Sequence, residues 1–176
     1  RLRSRGLGDV YKRQPVDLGF DCPLDLHCSY TREQLLVAMD FMKPSIVREG
    51  VKWLPDKNID VFFITLNKSD KDYSPTTMYQ DYSINETLFH WQSQSTTNAE
   101  GKVGQRYINH RKNGSKVLLF VREFKNDIYG NTAPYTYLGT ANYVSHNGSR
   151  PMNITWKLDD PIPAKYLKKT NKLVVG

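Results

Sequence analysis

Between Met78 and Ser95 the chain reads MYQDYSINETLFHWQSQS, a run that mixes aromatic rings with carboxylate and glutamine amide groups. Such a mixture makes a poor core but a good pocket. Aromatic faces stack on planar groups, Asp and Gln read hydrogen-bonding edges, and a nucleobase presents both a face and an edge. A base turned out of a duplex loses its stacking neighbours, and Tyr79, Tyr82 or Trp91 would replace them, each contact contributing about 1 to 3 kcal/mol. Asp81 would accept a hydrogen bond from the exocyclic amine of cytosine, and Gln92 or Gln94 would satisfy the rest of that edge. Each residue has a plainer alternative. Phe89 and Trp91 share a strand face, where paired aromatics are ordinarily core; Phe89 is expected there, and Trp91 is divided between core and pocket. Asp81, following a polar loop, equally fits a turn cap.

Other chemistries lack their motifs. There is no Gly-rich phosphate loop ending in Lys and Ser or Thr, no dinucleotide fingerprint, no GxSxG and no HExxH, so the chain is not expected to be an ATPase or an enzyme by itself. His27, His90, His110 and His146 are scattered. The stretch YINHRKNGS around His110 resembles a nuclease-like His beside Asn only loosely, and a metal-dependent nuclease would need a second ligand cluster. Cys22, His27 and Cys28 lie close in sequence, but a structural zinc needs a fourth ligand nearby, and reduced thiols are expected instead. No metal or cofactor is expected, and reduced thiols fit the cytoplasm.

Contacts to a nucleic-acid backbone would come from grouped cations. Lys102, Arg106, Arg111 and Lys112 fall in one stretch, Arg150 lies in the loop SHNGSRP, and Lys165, Lys168, Lys169 and Lys172 recur at three- and four-residue spacing. In that loop Asn147 and Gly148 would allow close approach to phosphates. The C-terminal stripe also fits a solvated helix face. The overall charge argues less than it first promises. Residues 1–14, RLRSRGLGDVYKRQ, hold five of the 25 basic residues and one of the 18 acidic ones, without apolar periodicity. They resemble translated sequencing-adapter read-through and are set aside as a non-native segment. Without them the charge falls from +7 to +3, which permits nucleic-acid binding without arguing for it.

Positioning these groups requires a scaffold, and residues 15–176 are enough for one domain with its own core. Thr31 and Gln34 form a capping-box pattern ahead of Leu35, Leu36, Met39 and Met42, predicting a helix over 32–42 that stops before Pro44. Strands at 51–54 and 59–66 read as a hairpin around Pro55 to Asn58. Residues 68–81 read as a long polar loop, and 87–95 as a strand with one half-polar side. The segment 101–115 is basic and glycine-bounded. Three β-rich runs follow at 117–124, 135–146 and 152–158, and Pro163 opens a helix predicted to reach about Lys172. The apolar runs VFFITL and VLLFV are far too short to cross a bilayer, so no membrane is expected. The pattern predicts an α+β domain with a mainly antiparallel, curved sheet or a partly closed barrel and flanking helices.

The segments SYTREQLLVAMDF, REGVKWLPDKNIDVFFITLNK with its continuation into the opening motif, GQRYINH, VLLFVREF and YLGTANYVSHNGSRPMNITWKLDDPIPAKYLK together resemble the family catalogued as domain of unknown function 3427. The resemblance runs from about residue 28 onward. It implies a C-terminal module of a larger bacterial protein that carries a phospholipase-D-like nuclease and a superfamily 2 helicase. It also implies the specificity role of methylation-dependent restriction enzymes, similar to SET-and-RING-associated domains, whose curved, β-rich, PUA-like fold flips a methylated base into an aromatic cage. The expected function is therefore recognition of modified cytosine in double-stranded DNA. A scaffolding domain that holds helicase and nuclease together is the alternative, and a metal-dependent nuclease using His110 or His90 the second.

Overall fold

A computed structural model describes residues 17–68 and 81–167. Eight strands and two short α-helices follow one another in the order β1 (Ser29–Tyr30), α1 (Arg32–Ala38), β2 (Val51–Leu54), β3 (Ile59–Thr65), β4 (Tyr82–Ser83), β5 (Leu88–Gln92), α2 (Lys102–Ile108), β6 (Lys116–Arg122), β7 (Tyr135–Asn147) and β8 (Asn153–Leu158). They make one sheet in the order β2-β3-β6-β7-β8-β5-β4, with β1 pairing to β7. Every pairing is antiparallel except β3 with β6. The α+β class and the curved, mainly antiparallel sheet agree with the sequence, and the sheet is open rather than closed.

The run IDVFFIT explains the central place of β3. All seven of its residues are buried, as a strand covered on both faces demands. On one face Phe62 and Ile64 join Trp91, Tyr107, Val117, Leu119, Ile154 and Trp156. On the other, Val61 and Phe63 join Leu118, Phe120 and Tyr137 beneath Leu35, Leu36 and Met39 of α1. The rings of Phe62 and Trp91 stack at 4.2 Å, although β5 lies four places from β3 in the sheet. Such a contact requires the sheet to curl. Register shifts at Leu119/Phe120 and at Tyr143/Ser145 provide the bends, since a bulge increases local twist and turns the strand.

Two elements differ from their predicted form. The capping box of Thr31 and Gln34 is present, but α1 ends at Ala38 rather than at 42. Asp40 takes a left-handed φ of 63°, and the amides of Asp40 and Phe41 return to Val37 O and Leu36 O at 2.9 Å each. That pair of bonds closes a helix terminus of the Schellman kind before Pro44 is reached. The basic segment after Gly101 is a helix, α2, packed so closely that a Cβ on Gly104 would lie 2.2 Å from Asn98 O. At the C-terminal end residues 164–167 are helical, while the remainder of the predicted helix lies outside the described residues, as do residues 1–14 and most of the 68–81 loop.

Candidate functional site

Asp81 immediately precedes β4, and its carboxylate is buried, with the residue 6% exposed. Oδ1 accepts the backbone amide of Gln92 at 2.8 Å, and the Lys68 ammonium lies 3.5 Å from Oδ2. Burial raises the Asp81 carboxyl above its ordinary range, while Lys68 and the Gln92 amide pull it down. A folded-state value above the unfolded one means that this group stabilises the fold at pH below the carboxylate range and loses that contribution as pH rises through its folded value. Asp81→Asn keeps an acceptor for the Gln92 amide but removes the anion beside the largely buried Lys68 ammonium, so its stability deficit against the parent chain should shrink as pH rises above the carboxylate range, where the parent chain carries the cost of the buried charge. Paired denaturant titrations at several pH values check this, and a deficit that widens with pH would contradict it.

The carboxylate borders a cavity of about 330 Å³. Its walls are two arginine–aromatic pairs. The Arg32 guanidinium stands 4.2 Å above the Phe63 ring and donates to Glu49 O at 2.8 Å and to the Tyr135 hydroxyl at 3.1 Å. Arg122 lies 4.5 Å over the Tyr135 ring, and its Nε donates to Thr65 Oγ1 at 2.9 Å. Planar guanidinium on planar ring is a stable, preorganised arrangement. With Lys68 and Arg48 also on the lining, cations outnumber the acids Asp81 and Glu49. The chamber thus offers one buried acceptor, guanidinium planes backed by aromatic rings and an excess of positive charge, which suits a planar group attached to a phosphate chain.

Of the predicted base-binding residues, Asp81, Trp91, Gln92 and Gln94 line this chamber together. The Gln92 side-chain amide donates to Asn153 Oδ1 at 3.3 Å. Trp91 needs a correction: it is 4% exposed and one face is covered by Phe62, so it is core that shows the chamber only part of its ring. Phe89 is core as expected, at 1% exposure. Tyr82 does not line the chamber. Asp81 and Ser83 are buried while Tyr82 between them is half-buried, and its ring stacks on that of His90, its cross-strand partner, at 4.6 Å. Strand alternation sends it to the other face. Tyr79 lies outside the described residues. Arg32, Phe63, Arg122 and Tyr135 went unread because they sit in a helix start and in strands that look like core. Arg122 did carry a signal, for a cation closing the apolar run VLLFV requires partners if it is buried.

The predicted backbone contacts divide. Arg106 is not a surface cation. Its Nε and Nη2 donate to both oxygens of Asp60 at 2.8 Å, and its guanidinium lies 4.4 Å over Trp53. Asp60 is fully buried, and burial holds its carboxyl above the usual range even with the guanidinium pulling it down. Lys102 and Lys112 are exposed beside a second cavity of about 430 Å³ that Trp53 also lines. Arg111 is exposed and donates to Tyr143 O at 3.0 Å. Arg150 is exposed, and Lys165 is exposed with its ammonium 4.9 Å over the Tyr166 ring. Lys168, Lys169 and Lys172 lie outside the described residues.

His110 is 2% exposed. Its Nδ1 meets Ser115 O at 3.1 Å, and Nε2 meets the Tyr143 amide at 3.0 Å. A carbonyl on one side and an N–H on the other fix a neutral ring with the proton on Nδ1, and neither nitrogen is left to abstract a proton from a substrate. Burial lowers its pKa. A depressed folded value stabilises the protein above the unfolded pKa, and that stability is lost as pH falls below about 6.5 toward the folded value. His110→Gln should flatten this stretch of the stability-versus-pH curve, and an unchanged slope would contradict the assignment. Among the described residues no group of three or more His, Cys, Asp or Glu is arranged to hold a metal ion. No helix among them is long and apolar enough to cross a membrane.

The profile of a protein family described as Domain of unknown function (DUF3427) matches residues 24–169, a span that contains the whole chamber. No curated protein matches the chain.

Proposed function

The chain belongs to the DUF3427 family, and from that premise and the chamber geometry we propose that it is a DNA-binding specificity domain that receives a flipped, modified cytosine in the Asp81 chamber. The observation that carries this reading is the buried carboxylate of Asp81 at the wall of an arginine- and aromatic-lined cavity. The Gln92 amide and Lys68 already meet this carboxylate, and its remaining lone pairs suit the exocyclic amine of cytosine, a donor that a carboxylate recognises. Phe63 and Tyr135 are buried behind the Arg32 and Arg122 guanidinium planes, which supply the flat faces for the base, and the exposed Arg48 supplies a cation for the phosphates beside it. The base needs to leave the duplex, because a closed stack presents no face to such a chamber. Lys102, Arg111, Lys112, Arg150 and Lys165 carry exposed charge for the flanking backbone. In the larger protein implied by the family resemblance, this recognition directs the helicase and nuclease modules to modified DNA.

A fluorescent adenine analogue placed beside a methylated cytosine tests the flip. Its emission is quenched by stacking, so it should brighten when the intact chain binds and the target base leaves the stack. Binding without brightening would overturn the reading.

A further inference from the structure

Ile128 and Tyr129 are 90% and 81% exposed, the most exposed large apolar side chains among the described residues. They are neighbours at the tip of the β6–β7 connection, residues 123–134, and that tip is firmly built. Asp127 Oδ1 accepts the amides of Tyr129 and Asn131, both at 2.9 Å. The Asp127 amide donates to Asn131 O at 2.8 Å, and Asn126 bridges Thr132 below. Gly130 supplies the left-handed φ of 83° that closes the turn. The turn's geometry therefore comes from backbone and Asp127, and the two apolar side chains contribute nothing to holding it. Isolated exposed apolar residues are common, but a rigid projection tipped by two of them marks a contact surface.

The position of this projection matters as much as its tip. Its two feet, Arg122 and Tyr135, are walls of the Asp81 chamber, and Arg122 Nη1 ties them by donating to Ala133 O at 3.3 Å. Ile128 lies six positions beyond Arg122, a reach of up to about 20 Å, against groove depths of about 8 Å. Proteins that distort DNA insert apolar wedges between base steps, and an aromatic ring stacks on an exposed base face. We propose that the β6–β7 hairpin is a wedge: Ile128 and Tyr129 enter the base stack and fill the space left by the base that occupies the Asp81 chamber. The inference rests on the reading of that chamber as a base pocket.

The test titrates the intact chain and an Ile128→Ser/Tyr129→Ser double variant with two methylcytosine duplexes and a plain one. In one duplex the methylated base is paired, and in the other it faces an abasic position and is already unpaired. The double variant should lose at least about tenfold in affinity for the paired duplex and essentially nothing for the unpaired one, with an unchanged unfolding midpoint. If the parent chain prefers the methylated duplex and the variant matches it on the paired target, or loses equally on both, the wedge is wrong and the pocket stands. If the parent chain does not distinguish methylated from plain DNA, the pocket reading fails and the wedge with it.

Discussion

Replacing Arg106 with Ala should destabilise the fold by about 3 to 5 kcal/mol, the usual result of stranding one member of a buried ion pair. Asp60 has no exposure and receives both donors of the guanidinium at 2.8 Å. Without them a carboxylate remains between β2 and β6, where its strand neighbours are Trp53 and Val117. Stacking of the guanidinium on Trp53 is lost as well. The sign with pH is fixed by linkage. Removing Arg106 raises the folded pKa of Asp60 further, so the variant is least stable at high pH and recovers as pH falls and the carboxyl protonates. Denaturant titrations at several pH values read this directly. The double change Asp60→Asn/Arg106→Met should recover much of the loss, because a matched neutral pair leaves no charge stranded. A variant with Arg106 removed and stability unchanged would show that the pair is not structural.

Asp81→Asn should behave in the opposite way, retaining the fold and losing discrimination. The change keeps the size of the side chain and an acceptor for the Gln92 amide, yet it removes the negative charge and places amide hydrogens where the cytosine amine would donate. A good base contact contributes about 1 to 3 kcal/mol, so the ratio of affinities for duplexes with 5-methylcytosine and with thymine at the target position, which differ at that amine, should fall by about 10- to 100-fold. Arg122→Ala would also weaken binding, but by opening the wall at Tyr135 and Thr65; it should reduce affinity for both duplexes. Equilibrium titrations at one salt concentration separate the two outcomes. An Asp81→Asn variant that discriminates as well as the parent chain would remove Asp81 from the recognition of the base.

The division between what could and could not be read in the sequence follows from range. Local rules served well where a few neighbouring residues decide: the Thr31–Gln34 box caps α1, and β2 and β3 form the expected hairpin. The same rules placed Phe89 in the core. They failed where partners are distant. Arg106 looks like a phosphate contact because nothing nearby in sequence announces Asp60, 46 positions away. Helix α2 was missed because Gly101 gives no side-chain cap and only Gly104 and Tyr107 are buried. The chamber itself joins the start of α1, the far end of β3, Asp81, and the meeting ends of β6 and β7. Asp81, Trp91, Gln92 and Gln94 were legible through the mixed composition of one motif. Arg32, Phe63, Arg122 and Tyr135 were not, because each reads locally as helix start or strand interior. Tyr82 was misplaced by one step of strand alternation, a difference that composition does not encode.

The most direct test of the central claim is the affinity of the intact chain for one duplex prepared with and without 5-methylcytosine at a single position, measured at one fixed salt concentration. Binding should be at least about tenfold tighter to the methylated duplex. Equal affinities for the two duplexes, or no binding to either, would contradict it.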